Sequence, residues 1–240
     1  MVFLIQQTMI YAIPLMIVAL AGIFAERSGI INLALEGIMI FGAFCGVLFV
    51  RIMQENNVFT QQQGQLLMVA AMAVAAALGA LFSLLLAFSA INLKADQTIG
   101  GTALNMLAPA FVLFFINLLT HQTAMGMYVG DAASWFMIKP STFGLPRDHD
   151  FGFLGNLLIN KVYLSTYICL ILFLVLSVIL YKTKFGLRLR SCGENPQAAD
   201  SLGINVYKMR YAGTTISGAL SGLGGFVYAL TTANCASTGE

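Results

Sequence analysis

The chain has 240 residues, of which 59% are hydrophobic and 9% are charged. An average soluble domain carries roughly 25% charged residues. This composition excludes an ordinary soluble protein and predicts an all-α, polytopic membrane helix bundle. The formal net charge of +2 is too small to indicate a nucleic-acid partner.

Six apolar stretches have about the 20 residues that a spanning helix needs. They lie near residues 8–24, 29–50, 65–92, 97–120, 161–181 and 208–232. Polar residues and glycines crowd the beginning of the second stretch, where a broken helix is expected near residues 25–37. About six membrane segments are therefore predicted.

Two polar residues at the start of the second stretch are candidates for a transport pathway. Asn32 and Glu36 precede an apolar run, and polar groups at membrane depth usually face a cavity or a partner helix. Gly42 and Gly46 in the same run fit the GxxxG pattern, for which helix packing is the favoured interpretation.

The fourth stretch begins with further candidates. Thr98, Gly101, Thr102 and Asn105 could offer hydroxyl, amide and bare backbone groups to a polar substrate. The alternative is an ordinary helix start, with Asp96 as the N-cap and Asn105 bonded to a neighbouring helix. Residues 121–160 are expected to form an external loop. In the last stretch, Gly218 and Gly222 again indicate close helix packing.

The segment 182–210 is polar and basic although apolar stretches lie on both sides of it. Asn195 is a good N-cap, Pro196 suits the first helical position and Gly203 suits the C-terminal turn, so a helix is predicted over Pro196–Leu202. Ala198, Ala199 and Leu202 form its apolar stripe. A helix this short is unstable alone and must be braced. It is either an ordinary connector or a docking helix for a soluble partner.

The distribution of positive charge indicates the orientation. If the segment 182–210 is cytoplasmic, six alternating crossings place eight of the 12 Lys and Arg residues on that side and four on the other. The eight are Arg27, Lys94, Lys182, Lys184, Arg188, Arg190, Lys208 and Arg210. This obeys the positive-inside rule and puts the N-terminus outside.

No pattern for catalysis or metal binding is found. The four cysteines have no CxxC spacing and mostly lie inside apolar stretches, as is typical of small core residues. Without a Walker motif, catalytic triad or paired carboxylates, we expect no enzymatic activity, no metal site and no cofactor.

Two stretches resemble a known family. GLRLRSCGENPQAADSLGINVYKMRYAGTTISGALSGLGG (186–225) resembles the coupling segment of ABC-transporter permeases from the branched-chain amino acid, ribose and nucleoside import superfamily. ERSGIINLALEGIMIFGAF (26–44) resembles the simple-sugar or nucleoside permeases that work with receptors of the basic membrane protein type. Together they cover about a quarter of the chain.

The resemblance implies a function for these segments. Residues 1–240 would form a transmembrane permease domain of a nucleoside or simple-sugar importer in the bacterial cytoplasmic membrane, and 182–210 would be its cytoplasmic coupling loop. The expected partners are an ABC ATPase, which would hydrolyse ATP, a substrate-binding lipoprotein or periplasmic protein, a second permease subunit and membrane lipid. The residues implied to couple to the ATPase are Gly193, Glu194, Asn195, Pro196, Ala198, Ala199, Leu202 and Gly203.

The chain departs from the family pattern at both ends. Permeases of this superfamily usually begin inside, which a hidden crossing near Ala25–Gly37 would explain. They also continue through further helices, so this chain resembles a C-terminally shortened member. Ribose-type sugars and branched-chain amino acids are alternative cargoes. A non-transporting membrane scaffold and a secondary transporter, with Glu36 as its one deep carboxylate, are alternatives of other classes.

Overall fold

The computed structural model describes residues 2–59, 63–121, 124–126, 136–138, 162–233 and 235–237. Within them, eight α-helices make up most of the fold. They are α1 (Val2–Arg27), α2 (Leu35–Glu55), α3 (Gly64–Ile91), α4 (Gln97–Thr120), α5 (Leu164–Lys182), α6 (Lys184–Glu194), α7 (Pro196–Ser201) and α8 (Val206–Tyr228). A π-helical turn, Ala229–Ala233, continues α8. The predicted helical bundle is confirmed.

Short strands accompany the helices. The strands are β1 (Ala124–Gly126), β2 (Met137–Ile138), β3 (Val162–Tyr163) and β4 (Cys235–Ser237). β1 pairs antiparallel with β4, and β2 pairs antiparallel with β3. Since β1 follows α4 and β3 precedes α5, the strands lie at the end of the bundle opposite α6 and α7.

Five of the described helices, α1 to α5, are long and apolar enough to cross a membrane. The sixth predicted stretch corresponds to α8, whose Gly, Ser and Thr residues make it less apolar. The predicted break is also present, because no helix connects Arg27 to Leu35. This 28–34 link has seven residues and joins two continuous helices, so it adds no further crossing.

Helix α8 lies at the centre, packed against α1, α2 and α3. Its small residues permit this, since the backbones approach too closely for larger side chains. A Cβ at Gly222 would lie 2.5 Å from the carbonyl oxygen of Ala75 and 2.9 Å from Gly79 Cα. Gly42 of α2 meets Gly222 from the other side. Both predicted glycine packing sites, Gly42–Gly46 and Gly218–Gly222, are confirmed, with Gly46 against Phe226.

Candidate functional site

Helix α7 has the predicted caps. The side chain of Asn195 accepts a hydrogen bond from the Ala198 N–H at 3.1 Å, and Pro196 occupies the first turn. At the other end Gly203 has a φ of +77°, which favours glycine, and its N–H donates to the Asp200 carbonyl at 2.8 Å. The helix ends at Ser201, one residue before the predicted end, because Leu202 is its C-cap.

The predicted apolar stripe of α7 does not form one face. Ala199 is only 1% exposed and points into the protein, whereas Leu202 is 80% exposed. Ala198 and Glu194 are also exposed. Ala198 and Ala199 are successive residues, about 100° apart around the helix axis, so they point in different directions. Leu202 is the C-cap and lies outside the helix, so helical spacing does not group it with Ala199. Of the predicted stripe, Ala198 and Leu202 are exposed and Ala199 is buried, while the coupling of these residues to a partner stays a prediction.

Helix α6 is an element that the sequence interpretation missed. Thr183 caps it, accepting from the Gly186 N–H at 3.3 Å, and it buries Gly186, Leu189 and Cys192. The spacing of Leu189 and Cys192 at i and i+3 is the signal that would have revealed it. Burial raises the pKa of the Cys192 thiol, which is consistent with a core position.

The chain itself braces the segment that contains α6 and α7. A Cβ at Gly193 would lie 2.5 Å from the carbonyl oxygen of Arg27 and 3.2 Å from the Gly29 nitrogen. Gly29 has a φ of +85° and faces the Gly193 backbone. The end of α6 thus packs backbone to backbone on the end of α1 and on the 28–34 link. We call the end of the bundle where the link, the α3–α4 turn (92–96), α6 and α7 meet the basic end.

Two asparagines hold the 28–34 link in place. Asn32 donates to Ser217 Oγ of α8 at 3.0 Å and accepts from the Ala34 N–H at 3.1 Å. Asn105 of α4 donates to the Leu33 carbonyl at 2.6 Å and accepts from the Gly37 N–H at 2.8 Å. Each side-chain amide donates a hydrogen bond through its nitrogen and accepts one through its oxygen. The link is therefore hydrogen-bonded to both α4 and α8.

The predicted pathway residues fall into two groups. Asn32, Asn105 and Gly101 meet around the link, where a Cβ at Gly101 would lie 2.8 Å from Leu33 Cβ. The other three, Glu36, Thr98 and Thr102, are exposed. The Thr102 hydroxyl donates to the Thr98 carbonyl at 2.9 Å. The alternative for Asn105, a hydrogen bond to a neighbouring element, is confirmed, while a role of these residues towards substrate stays a prediction.

Asp96 is the N-cap of α4, as the alternative interpretation of this stretch expected. Its carboxylate accepts from the Thr98 N–H at 2.7 Å. This backbone hydrogen bond stabilises the ionised form and lowers the pKa of Asp96. The start of α4 is therefore fixed at the basic end by a charged cap.

These features define a class of protein. Long apolar helices surround a helix of small residues, and polar side chains inside the bundle hold its elements together. A pair of short helices packs at one end. These are the features of a multi-pass membrane protein of transporter type. A comparison with known families makes this specific. The family model described as "Branched-chain amino acid transport system / permease component" matches residues 4–239, and the chain belongs to this family.

Relatives of known name support the assignment. The chain is 44% identical to the guanosine ABC transporter permease protein NupQ of Bacillus subtilis over 96% of its own length and 68% of that protein. It is 37% identical to the nucleoside ABC transporter permease protein NupC of Lactococcus lactis over 94% of its length and 67% of that protein. No solved structure matches. The chain is thus an ABC-transporter permease, a class that in general works with an ATPase and a substrate-binding protein.

Proposed function

We propose that this chain is a permease subunit of an ATP-driven nucleoside importer in the bacterial cytoplasmic membrane. Supporting this is the combination of a braced α6–α7 pair at the basic end with similarity to two nucleoside permeases over nearly the whole chain. In this proposal the basic end is cytoplasmic and receives the ATPase. A binding lipoprotein or periplasmic receptor would deliver nucleoside to the opposite end, and a second permease subunit would complete the translocation route.

The outer surface of α7 would be the docking surface for the ATPase. Leu202 lies beyond the membrane-spanning helices and is 80% exposed, so neither the core nor the lipid tails cover it. Ala198 is exposed beside it and leaves room for a partner side chain. An exposed leucine next to a small residue, with Glu194 at the border, is the composition of a small apolar docking site with a polar rim.

Movement of α7 would reach the transport route through the 28–34 link. The Gly193 backbone packs on Arg27 and Gly29, so a displacement of α6–α7 presses directly on the link. The link is in turn fastened to α8 by Asn32 and to α4 by Asn105. Closure of an ATPase dimer would therefore shift α2, α4 and α8 together. By reciprocity, binding of a loaded receptor outside would favour the ATP-bound, closed state of the ATPase inside.

Uptake measurements in the native host test the cargo. Deleting the gene should abolish ATP-dependent uptake of labelled guanosine, and restoring the chain should recover it. Uptake of labelled ribose and leucine serves as the parallel measurement for the alternative cargoes. Loss of ribose or leucine uptake with unchanged guanosine uptake would overturn the nucleoside assignment. Guanosine uptake driven by an ion gradient without ATP would indicate a secondary transporter instead.

Co-purification with the ATPase tests the docking surface. Leu202→Asp and Ala198→Glu should each reduce the ATPase recovered with the permease at least tenfold, without lowering its melting temperature. Tyr207→Asp is a matched control, since Tyr207 is 63% exposed on the neighbouring α8 and lies outside the proposed surface. Equal recovery of the ATPase with all three variants would remove the docking proposal.

A further inference from the structure

We propose that the basic end carries a binding site for the head group of an anionic phospholipid, in a pocket of about 490 Å³ between the α3–α4 turn, α7 and α8. The polar residues that line it are Lys94, Gln97, Gln197, Asp200, Tyr207 and Arg210. The site is separate from the outer surface of α7, since neither Ala198 nor Leu202 lines the pocket. It does not depend on which cargo the permease carries.

The pocket presents positive charge that the chain does not neutralise. Neither Arg210 nor Lys94 forms an ion pair within the residues that the structure describes. An anionic oxygen is the group that a guanidinium binds best. Asp200 is the one lining carboxylate, so the lining keeps a formal charge of +1.

The pocket is built on fixed elements rather than on a loose loop. The Tyr211 hydroxyl of α8 donates to Asn92 Oδ1 in the α3–α4 turn at 2.9 Å. Gln97 Oε1 accepts from the Ile31 N–H of the 28–34 link at 2.8 Å. These two hydrogen bonds hold the turn that carries Lys94 in a set position relative to Arg210.

The position of the pocket selects a lipid as its ligand. The candidate membrane span of α3 ends at Ile91 and that of α4 begins at Gln97, so Lys94 lies between two span ends, at head-group depth. Leu93 is 66% exposed and Ile99 is 69% exposed on either side of it, where acyl chains would cover them. Tyr207, which is 63% exposed at the pocket, is a residue type enriched at the membrane interface. Basic pockets between membrane helices are typical sites for lipid head groups.

The test is a titration of the purified chain in detergent with phosphatidylglycerol, followed by native mass spectrometry. Lys94→Asn and Arg210→Gln should each weaken the binding of the lipid about fivefold, as expected for one charge at a membrane surface. Asp200→Asn should strengthen it, because it removes the opposing carboxylate. Lys208→Gln is the matched control: it removes the same charge from α8, but Lys208 lines a different pocket and should change binding less than twofold.

Folding of the variants is controlled by their melting temperatures. Lys94 has a φ of +52°, a conformation that asparagine tolerates, so Lys94→Asn removes the charge without straining the turn. If Arg210→Gln does not fold, Arg210→Lys takes its place. This variant keeps the positive charge but loses the planar guanidinium, so it should weaken lipid binding less than Lys94→Asn does.

Three results would overturn the proposal. Equal weakening by Lys94→Asn, Arg210→Gln and Lys208→Gln would indicate diffuse attraction to surface charge. Phosphatidylcholine binding as tightly as phosphatidylglycerol would contradict an anionic head-group site. Inorganic phosphate that displaces phosphatidylglycerol at equimolar concentration would assign the pocket to a soluble anion.

Discussion

Replacing Gly222 with alanine should push α8 away from α3 and destabilise the bundle. A Cβ there would lie 2.5 Å from the Ala75 carbonyl oxygen, about 0.9 Å short of an ordinary van der Waals contact at 3.4 Å. The obstructing atoms belong to backbone in Ala75 and Gly79, so no side chain can rotate away. If the two helices move apart by 0.5–1 Å to make room, the atoms at their interface lose roughly a quarter to a half of their dispersion energy. We therefore expect a loss of about 1–3 kcal/mol, the usual range for overpacking.

The matched control is Gly22→Ala in α1. It adds the same methyl group, but the nearest atom would be Leu35 Cδ1 at 3.3 Å, the end of a flexible side chain. Because alanine has a higher helix propensity than glycine, this variant should be neutral or stabilised by up to about 1 kcal/mol. Both melting temperatures are measured in the same detergent. If Gly222→Ala melts as high as Gly22→Ala, the tight packing of α8 described above is refuted.

Three further predictions concern the basic end. Asn105→Ala removes hydrogen bonds to Leu33 and Gly37 and should lower the free energy of unfolding by about 1–3 kcal/mol in thermal melts. A loss of less than about 0.5 kcal/mol would show that these hydrogen bonds do not hold the 28–34 link. Asn195→Ala removes the α7 cap and should cost about 1 kcal/mol, seen as faster amide hydrogen exchange over 196–201; unchanged exchange would show that the cap is dispensable. The pKa of Asp96 is lowered in the folded protein, so its contribution to stability is complete above the unfolded pKa of about 3.9 and is lost as the pH falls through the folded value. Below about pH 4 the wild type should therefore lose stability relative to Asp96→Asn. A difference in stability that stays constant with pH would contradict the charged cap.

Features encoded by neighbouring residues could be predicted from the sequence. The start of α7 depends on Asn195 and Pro196, which act on amides within the next few residues. Gly203 ends the segment because the left-handed backbone there favours a residue without a Cβ. The break between α1 and α2 could be predicted for a similar reason, because polar residues and glycines interrupt the apolar run there.

Features that depend on distant parts of the chain could not be predicted. The hydrogen bond between Asn32 and Ser217 joins residues 185 positions apart, and the one between Asn105 and Leu33 joins residues 72 apart. Composition indicated that such polar groups need partners but could not identify them. The inward orientation of Ala199 likewise depends on how α7 packs against the rest of the basic end, so the sequence interpretation placed it on the docking face.

The most direct test of the proposed coupling is site-specific cross-linking to the ATPase. Cys45, Cys169 and Cys192 are free but buried, so all cysteines are first replaced by serine or alanine. A single cysteine at Ala198 carries a short photo-cross-linker, and one at Asn56, exposed at the opposite end of the bundle, serves as the control. The proposal predicts cross-links to the ATPase subunit from position 198 and none from position 56. Cross-links from position 56, or none from position 198 in a complex that still transports, would contradict it.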